Sequence, residues 1–263
     1  MLRGYGAQQI RAAEAPHLAA GEPLMARAAA ALAEECERAL TAAGRAVAGA
    51  RVAVLVGGGN NGGDALYAAA ALAGHGARVE LVRTSERVHE EGLAAALAAG
   101  ASAPQGPPEQ LAARAAAADL VVDGILGTGT SPDPRLRGPA REIVAALAPM
   151  VEERRSRVPY PSDAFADVFA DVADRPAASA ARAQRRPGVL VVAVDIPSGI
   201  HPDTGAVPDP AAVLRADVTV TFGGYKAGLL LQPARGFAGG IRLVDIGLGP
   251  ELAALTPLVE LPD

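Results

Sequence analysis

Short β-branched runs alternate with alanine-rich helical stretches over most of this chain. RVAVLV (51–56) ends in glycines, DALYAAAALAGHG carries helical spacing as far as Gly74 and Gly76, and RVELVRT (78–84) returns to a strand pattern. Together they make a βαβ unit. The alternation continues with a helix near 87–99, a strand around 119–124 (DLVVDG) and a helix from Pro139 (PAREIVAALA). Further strands are expected at 189–194 (VLVVAV), 217–222 (DVTVTF) and 242–246 (RLVDI). Strands apolar at nearly every position are buried on both faces, so the pattern predicts an α/β fold: a Rossmann-like, mostly parallel open sheet with helices on both faces. The first fifty residues show helical spacing and no strand-like run, which predicts two N-terminal helices broken between Gly21 and Pro23. From 149 to 187 the alternation lapses into an Arg-, Asp- and Pro-containing segment, read as a surface insertion. Its near-copies FADVFADVAD would place Phe165, Val168, Phe169 and Val172 on one face of a surface helix.

Composition narrows the class. At 263 residues a single domain spanning 1–263 is expected, since one core can serve a chain of this size. Aromatics are only 3% and Trp is absent, so the interior must be Ala, Val, Leu and Ile, which suits helices on a parallel sheet. A formal charge of -5 gives no basic footprint for nucleic acid or an anionic membrane. No apolar run approaches a membrane span, the opening MLRGYGAQQIRAAEAP lacks a signal-peptide core, and the lone Cys36 forms no internal disulfide. A cytoplasmic protein is the expectation.

Against this background two residue types are conspicuously rare. The only asparagines are Asn60 and Asn61, and the only lysine is Lys226; both lie in glycine-rich breaks after apolar runs. Four segments follow strands in this way: GGGNNGGD (57–64), DGILGTGTSPDP (123–134), DIPSGIHPDTG (195–205) and GGYKAG (223–228). In a parallel sheet the carboxyl ends of the strands share one edge, so these segments converge on one crevice there. Gly57, Gly59 and Gly62 form G-x-G-x-x-G, whose bare backbone suits an anion at a helix N-terminus. The second strand, however, ends in Arg83, Thr84 and Ser85 rather than the acid that a nicotinamide dehydrogenase places there. Asn60 and Asn61 serve equally well as turn residues and Asp64 as a helix cap. Asp123 is a turn former or a site residue. Asp195 is sharper, because Pro197, Ser198 and Gly199 after it fix a turn and present a hydroxyl. Two carboxylates, one lysine and two amides are the ingredients of proton transfer. The four histidines lack ligand spacing, which argues against transition-metal chemistry; Asn, Asp and Ser oxygens suit a weakly held monovalent cation.

The four loops together resemble the YjeF N-terminal domain family, whose enzymatic members are NAD(P)H-hydrate epimerases. GGGNNGGDALYAA, DGILGTG, VVAVDIPSGIHPDTG and ADVTVTFGGYKAGLLLQPARGFAGGIRLVDIGLG carry the likeness, with a helical region around Gln9 to Ala28. Departures are Ala65 where Gly is usual, Ile200 where Leu is common, and the 149–187 segment. The resemblance implies interconversion of the R and S epimers of hydrated NADH or NADPH (NADHX, NADPHX), with both forms open as substrate. It implies that Asn60, Asn61, Gly62, Gly63, Asp64, Gly127, Thr128, Gly129, Thr130, Ser131, Pro132, Asp133 and Asp195 contact the substrate. It further implies that Asn61, Asp123 and Ser198 hold a potassium ion. A separate ATP- or ADP-dependent dehydratase is the implied partner, since the dehydratase domain fused to such domains elsewhere is not expected here; a homodimer is an open expectation. The hydrate has a hydroxyl on the carbon beside the ring nitrogen, so either loss of that hydroxyl to an iminium or ring opening to an aldehyde erases the stereocentre. Asp195 is expected to move the hydroxyl proton and Lys226 to pair with a carboxylate or a phosphate. The competing readings are a non-catalytic binding or interaction module of the same fold, and a nicotinamide-dependent oxidoreductase.

Overall fold

The computed structural model describes residues 1–129, 133–156 and 188–262. Along the chain come β1 (Leu2–Tyr5), α1 (Ala7–Ala19), α2 (Leu24–Ala42), β2 (Arg51–Val56), α3 (Asn60–Gly74), β3 (Arg78–Arg83), α4 (Glu90–Ala98), α5 (Pro108–Ala116) and β4 (Leu120–Gly124). There follow α6 (Gly138–Ser156), β5 (Leu190–Val194), β6 (Val218–Phe222), β7 (Tyr225–Lys226), α7 (Ala227–Leu230), β8 (Gly240–Val244), α8 (Gly249–Ala253) and β9 (Val259–Leu261).

Six strands form one sheet in the order β3-β2-β4-β5-β6-β8, and every neighbouring pair is parallel. Its two faces explain the doubly apolar strands. Along β2, Val52, Val54 and Val56 pack into one core with Leu32, Leu40, Leu66 and Leu72 from α2 and α3. The alternate residues Ala53 and Leu55 join Leu111, Ile143 and Leu147 of α5 and α6 on the other face. All of these are buried, and at about 25 cal/mol per Å² such burial is the main term holding the layers together.

The order also sets the position of the crevice. From β2 the chain moves to β3 on one side and then returns to β4 on the other, so the carboxyl ends of β2 and β4 diverge into loops that part from each other. Val56 pairs with Gly124 in register, so the loops beginning at Gly57 and Ile125 start side by side.

Several expectations need correction. The first fifty residues do contain a strand. β1 lies in a second, three-stranded sheet, parallel to β7 and antiparallel to β9. Its register sets Tyr5 beside Lys226. Helix α5 and the short elements after β6 are additional to the sequence reading. The helix from Gly138 continues through Pro149 to Ser156, with Val151 buried, so the regular pattern extends beyond 149. Residues 157–187, including the expected FADVFADVAD helix with Phe165, Val168, Phe169 and Val172, lie outside the described residues.

Candidate active site

At the carboxyl edge of the large sheet is a cleft of about 690 Å³. Its floor comes from the expected loops: Gly58 to Asn61 and Asp64 after β2, Ile125 to Gly129 after β4, Asp195 after β5, and Phe222 and Lys226 around β6 and β7. Its wall comes from α1 and α2, through Arg11, Glu14, Leu18, Leu24, Met25 and Ala28. Helix α1 is fixed over the floor by the 195–205 loop, because the Ala7 amide donates to Asp203 Oδ1 at 2.6 Å. Near its other end His17 lies between Glu22 at 2.8 Å and Glu251 at 3.3 Å.

Asp195 is the one non-glycine residue among the described residues with a left-handed backbone, at φ 67. Such a conformation costs on the order of 1 kcal/mol or more and persists only where surrounding contacts enforce it. Those contacts converge on its carboxylate: Thr221 Oγ1 donates at 3.1 Å, the Phe222 amide at 3.3 Å, and the Lys226 ammonium forms a short ion pair. Lys226 is 1% exposed and also donates to the Phe222 carbonyl at 2.8 Å. Leaving Asp195 without its lysine would strand a buried charge, a loss of about 3–5 kcal/mol in comparable pairs.

A second constellation ties the loops to each other. The Ser198 amide donates to Asp123 Oδ2 at 2.9 Å and its hydroxyl to Oδ1 at 2.7 Å, while the Leu126 amide donates to that hydroxyl at 2.9 Å. The Asn61 amide donates to the Val194 carbonyl at 2.6 Å and to the Leu126 carbonyl at 3.3 Å, joining the loops after β2, β4 and β5. Gly127 allows this closure, because a Cβ there would stand 2.2 Å from Asn61 Oδ1. Asp123 is 1% exposed and has no Lys or Arg partner among the described residues. Burial pushes its carboxyl up, against the hydrogen bonds from Ser198 and Ile125 that pull it down. A buried carboxylate without a cationic side chain, beside a hydroxyl and an amide, is a donor set that fits one monovalent cation.

The expected residues divide accordingly. Asn60, Asn61, Asp64, Gly127, Thr128, Gly129, Asp195 and Lys226 line the cleft. Gly62 and Gly63 do not: the first packs on the Gly57 carbonyl, where a Cβ would stand 2.1 Å from the oxygen, and the second on Met25 and His89. Their role is to let the turn close. Asp133 lines the adjoining cavity with Gly57, Gly58 and Leu126, and its carboxylate pairs with Arg135 at 2.9 Å and Arg137 at 2.8 Å, which hold it well below the usual range. Thr130, Ser131 and Pro132 lie outside the described residues. Sequence reasoning missed Arg11 and Glu14. One helical turn apart on α1, they look like ordinary surface charges, and only the docking of α1 over the strand ends brings them to the site.

The family model described as YjeF-related protein N-terminus matches residues 21–228. The chain belongs to this family. Among its relatives is an NAD(P)H-hydrate epimerase of Clavibacter michiganensis subsp. michiganensis, 49% identical over 260 residues, which span 98% of this chain and 95% of that protein. An NAD(P)H-hydrate epimerase of Microbacterium testaceum is 43% identical over 98% of this chain and 84% of its own length. A bifunctional NAD(P)H-hydrate repair enzyme Nnr of Mycobacterium tuberculosis is 40% identical over 94% of this chain and 42% of its own length. The crystal structure of yeast ynu0, YNL200c, superposes with a TM-score of 0.61 at 19% identity, covering 86% of this chain and 83% of that one, and so shares the fold. Arg11 and Glu14 precede the span of the YjeF-related match.

Proposed function

We propose that this YjeF-family chain is an NAD(P)H-hydrate epimerase, an isomerase of nicotinamide cofactor repair that interconverts the R and S forms of NADHX or NADPHX. The observation that carries this reading is the meeting of Asp195, Lys226, Asn61 and Asp64 in one cleft at the carboxyl edge of a parallel sheet. High identity to epimerases over nearly the whole chain supports it.

The residues account for the chemistry. Lys226 pairs with Asp195 at the floor of the cleft, and Asp195 exchanges the proton of the substrate hydroxyl. Gly58, Gly59 and Asn60 at the start of α3 offer exposed backbone to the substrate phosphates, where the helix N-terminus favours negative charge. Asn61 keeps the floor rigid through Val194 and Leu126. Asn61, Asp123 and Ser198 would hold a potassium ion, whose charge would offset the buried Asp123 carboxylate. Longer bifunctional repair enzymes among the relatives support a functional coupling to an ATP- or ADP-dependent dehydratase that consumes one epimer.

The experiment is R/S exchange of chemically hydrated NADPH followed by chromatography. Wild-type protein accelerates the exchange, and Asp195→Asn loses about 10²–10⁴-fold in rate while keeping its circular dichroism. Undiminished exchange by Asp195→Asn removes that residue from the mechanism, and no acceleration by the wild type refutes the epimerase reading.

A further inference from the structure

Asp64 is the one buried acid of the cleft that these steps leave idle. It is 7% exposed, lines the cleft, and its side chain has no hydrogen-bond or ion-pair partner among the described residues. Its surroundings are short of positive charge. Glu14 from α1 and Asp195 from the end of β5 both raise the cost of ionising it, and only Lys226 from β7 opposes them. Lys226 is already bound by the Asp195 carboxylate and the Phe222 carbonyl. Arg11 acts on the Glu14 side of the cluster, and His89, at the start of α4, packs on Gly63 and accepts from the Gly92 amide. An ionised carboxylate in such a place is costly, whereas a protonated one leaves a donor that no group among the described residues accepts. That donor faces the ligand space.

We infer that Asp64 is the proton donor of the epimerisation, a catalytic acid working together with the Asp195–Lys226 base, and that Glu14 on α1 is its positioning residue. The inference rests on the epimerase reading and adds the missing half of its proton transfer. Asp195 takes the hydroxyl proton, and the O–H electron pair becomes the second bond of a carbonyl. The carbon–nitrogen bond breaks with its pair moving to the ring nitrogen, which receives the proton of Asp64. Rotation about the neighbouring carbon–carbon bond then presents the other aldehyde face. Reclosure reverses the transfers: nitrogen attacks the carbonyl carbon and returns its proton to Asp64, while the oxygen regains its proton from Asp195. Atoms, electrons and protons balance, and no water is consumed. One acid and one base thus serve both epimers, because the substrate turns its reacting carbon and the protein needs no second set of groups on the opposite face.

Burial first, then Asp195 and Glu14, push the Asp64 carboxyl up to about 8, so it carries its proton at neutral pH. The test is the pH dependence of kcat for R/S exchange, with potassium present, in wild type, Asp64→Asn and Glu14→Gln. Wild-type kcat should fall as pH rises past about 8. Asp64→Asn should lower kcat by about 10²–10⁴-fold with a smaller change in KM. Glu14→Gln removes a negative neighbour, so its alkaline limb should move to lower pH, a shift that a merely structural role would not produce. In ¹⁸O-labelled water the exchanged epimer should keep its original hydroxyl oxygen. Wild-type kcat in Asp64→Asn, or an alkaline limb unmoved by Glu14→Gln, overturns the assignment, and solvent oxygen entering at every turnover overturns the ring-opening step. An inactive wild type defeats the epimerase reading itself, whereas an active wild type with an equally active Asp64→Asn defeats only the acid.

Discussion

Replacing Asp64 by Asn should make the protein more stable while depriving it of activity, and the size of the effect follows from proton counting. The folded chain lifts this carboxyl from 3.8 to about 8, chiefly by burying it. Between those pH values the folded state therefore binds about one proton more than the unfolded state. A folded pKa above the unfolded one gives stability that is fully present at acid pH, below the unfolded pKa, and is lost as pH rises through the folded pKa. The loss runs at about 1.4 kcal/mol per pH unit for one proton. Asn has nearly the same shape and no such slope. From pH 5 to pH 7 the stability of Asp64→Asn relative to wild type should thus improve by about 3 kcal/mol, on the order of 10 °C in Tm for a chain of this size. Urea unfolding of both proteins at pH 5, 6, 7 and 8 measures the difference directly, with titrating groups remote from the cleft cancelling. Two stability curves running parallel over that range would refute the reasoning, since they would show that folding does not force a proton onto this carboxyl. A variant both steadier and idle near neutrality is the signature of stability surrendered at a working site.

Two further outcomes follow from the same geometry. Gly127→Ala would drive a methyl against Asn61 Oδ1 and pull its amide from Val194 and Leu126; two hydrogen bonds at about 1 kcal/mol each plus overpacking imply a loss of roughly 3–5 kcal/mol, read as a lower unfolding midpoint together with weaker nucleotide binding. Exchanging potassium for tetramethylammonium should lower Tm and epimerisation in wild type, and Asp123→Asn should abolish the dependence of Tm on potassium; a wild-type Tm indifferent to the ion argues against the site.

Much of this was legible because two physical signals are strong in the chain. Doubly apolar runs such as LVVAV (190–194) have no other favourable place than the middle of a parallel sheet, and parallel strands bring their following loops to one edge whatever their separation in sequence. Asp195, Asn61 and Lys226 were therefore assembled by topology alone. The missed elements lack such signals. LRGY is four residues long, without alternation, and becomes a strand only because Tyr225–Lys226 and Val259–Leu261 lie on either side of it. Helix α6 survives Pro149 because its apolar residues Ile143, Leu147 and Val151 keep helical spacing across it and remain buried on the sheet. Asp133 sits beside the cleft, and its pairing with the arginines two and four positions later is a local arrangement that its loop does not announce. Glu14 could not be found by pattern, because its importance comes from where α1 docks.

The position of β1 between β7 and β9 also bears on how the enzyme is made. Leu2–Tyr5 finds its neighbours only far along the chain, at Tyr225–Lys226 and Val259–Leu261, so closing this small sheet is the longest-range step of the fold. Contacts so distant in sequence carry the largest loop-closure cost, so the six-stranded scaffold can form before Lys226 gains the strand beside it. Loosening β1 should therefore disturb the pairing of Lys226 with Asp195 before it disturbs the large sheet.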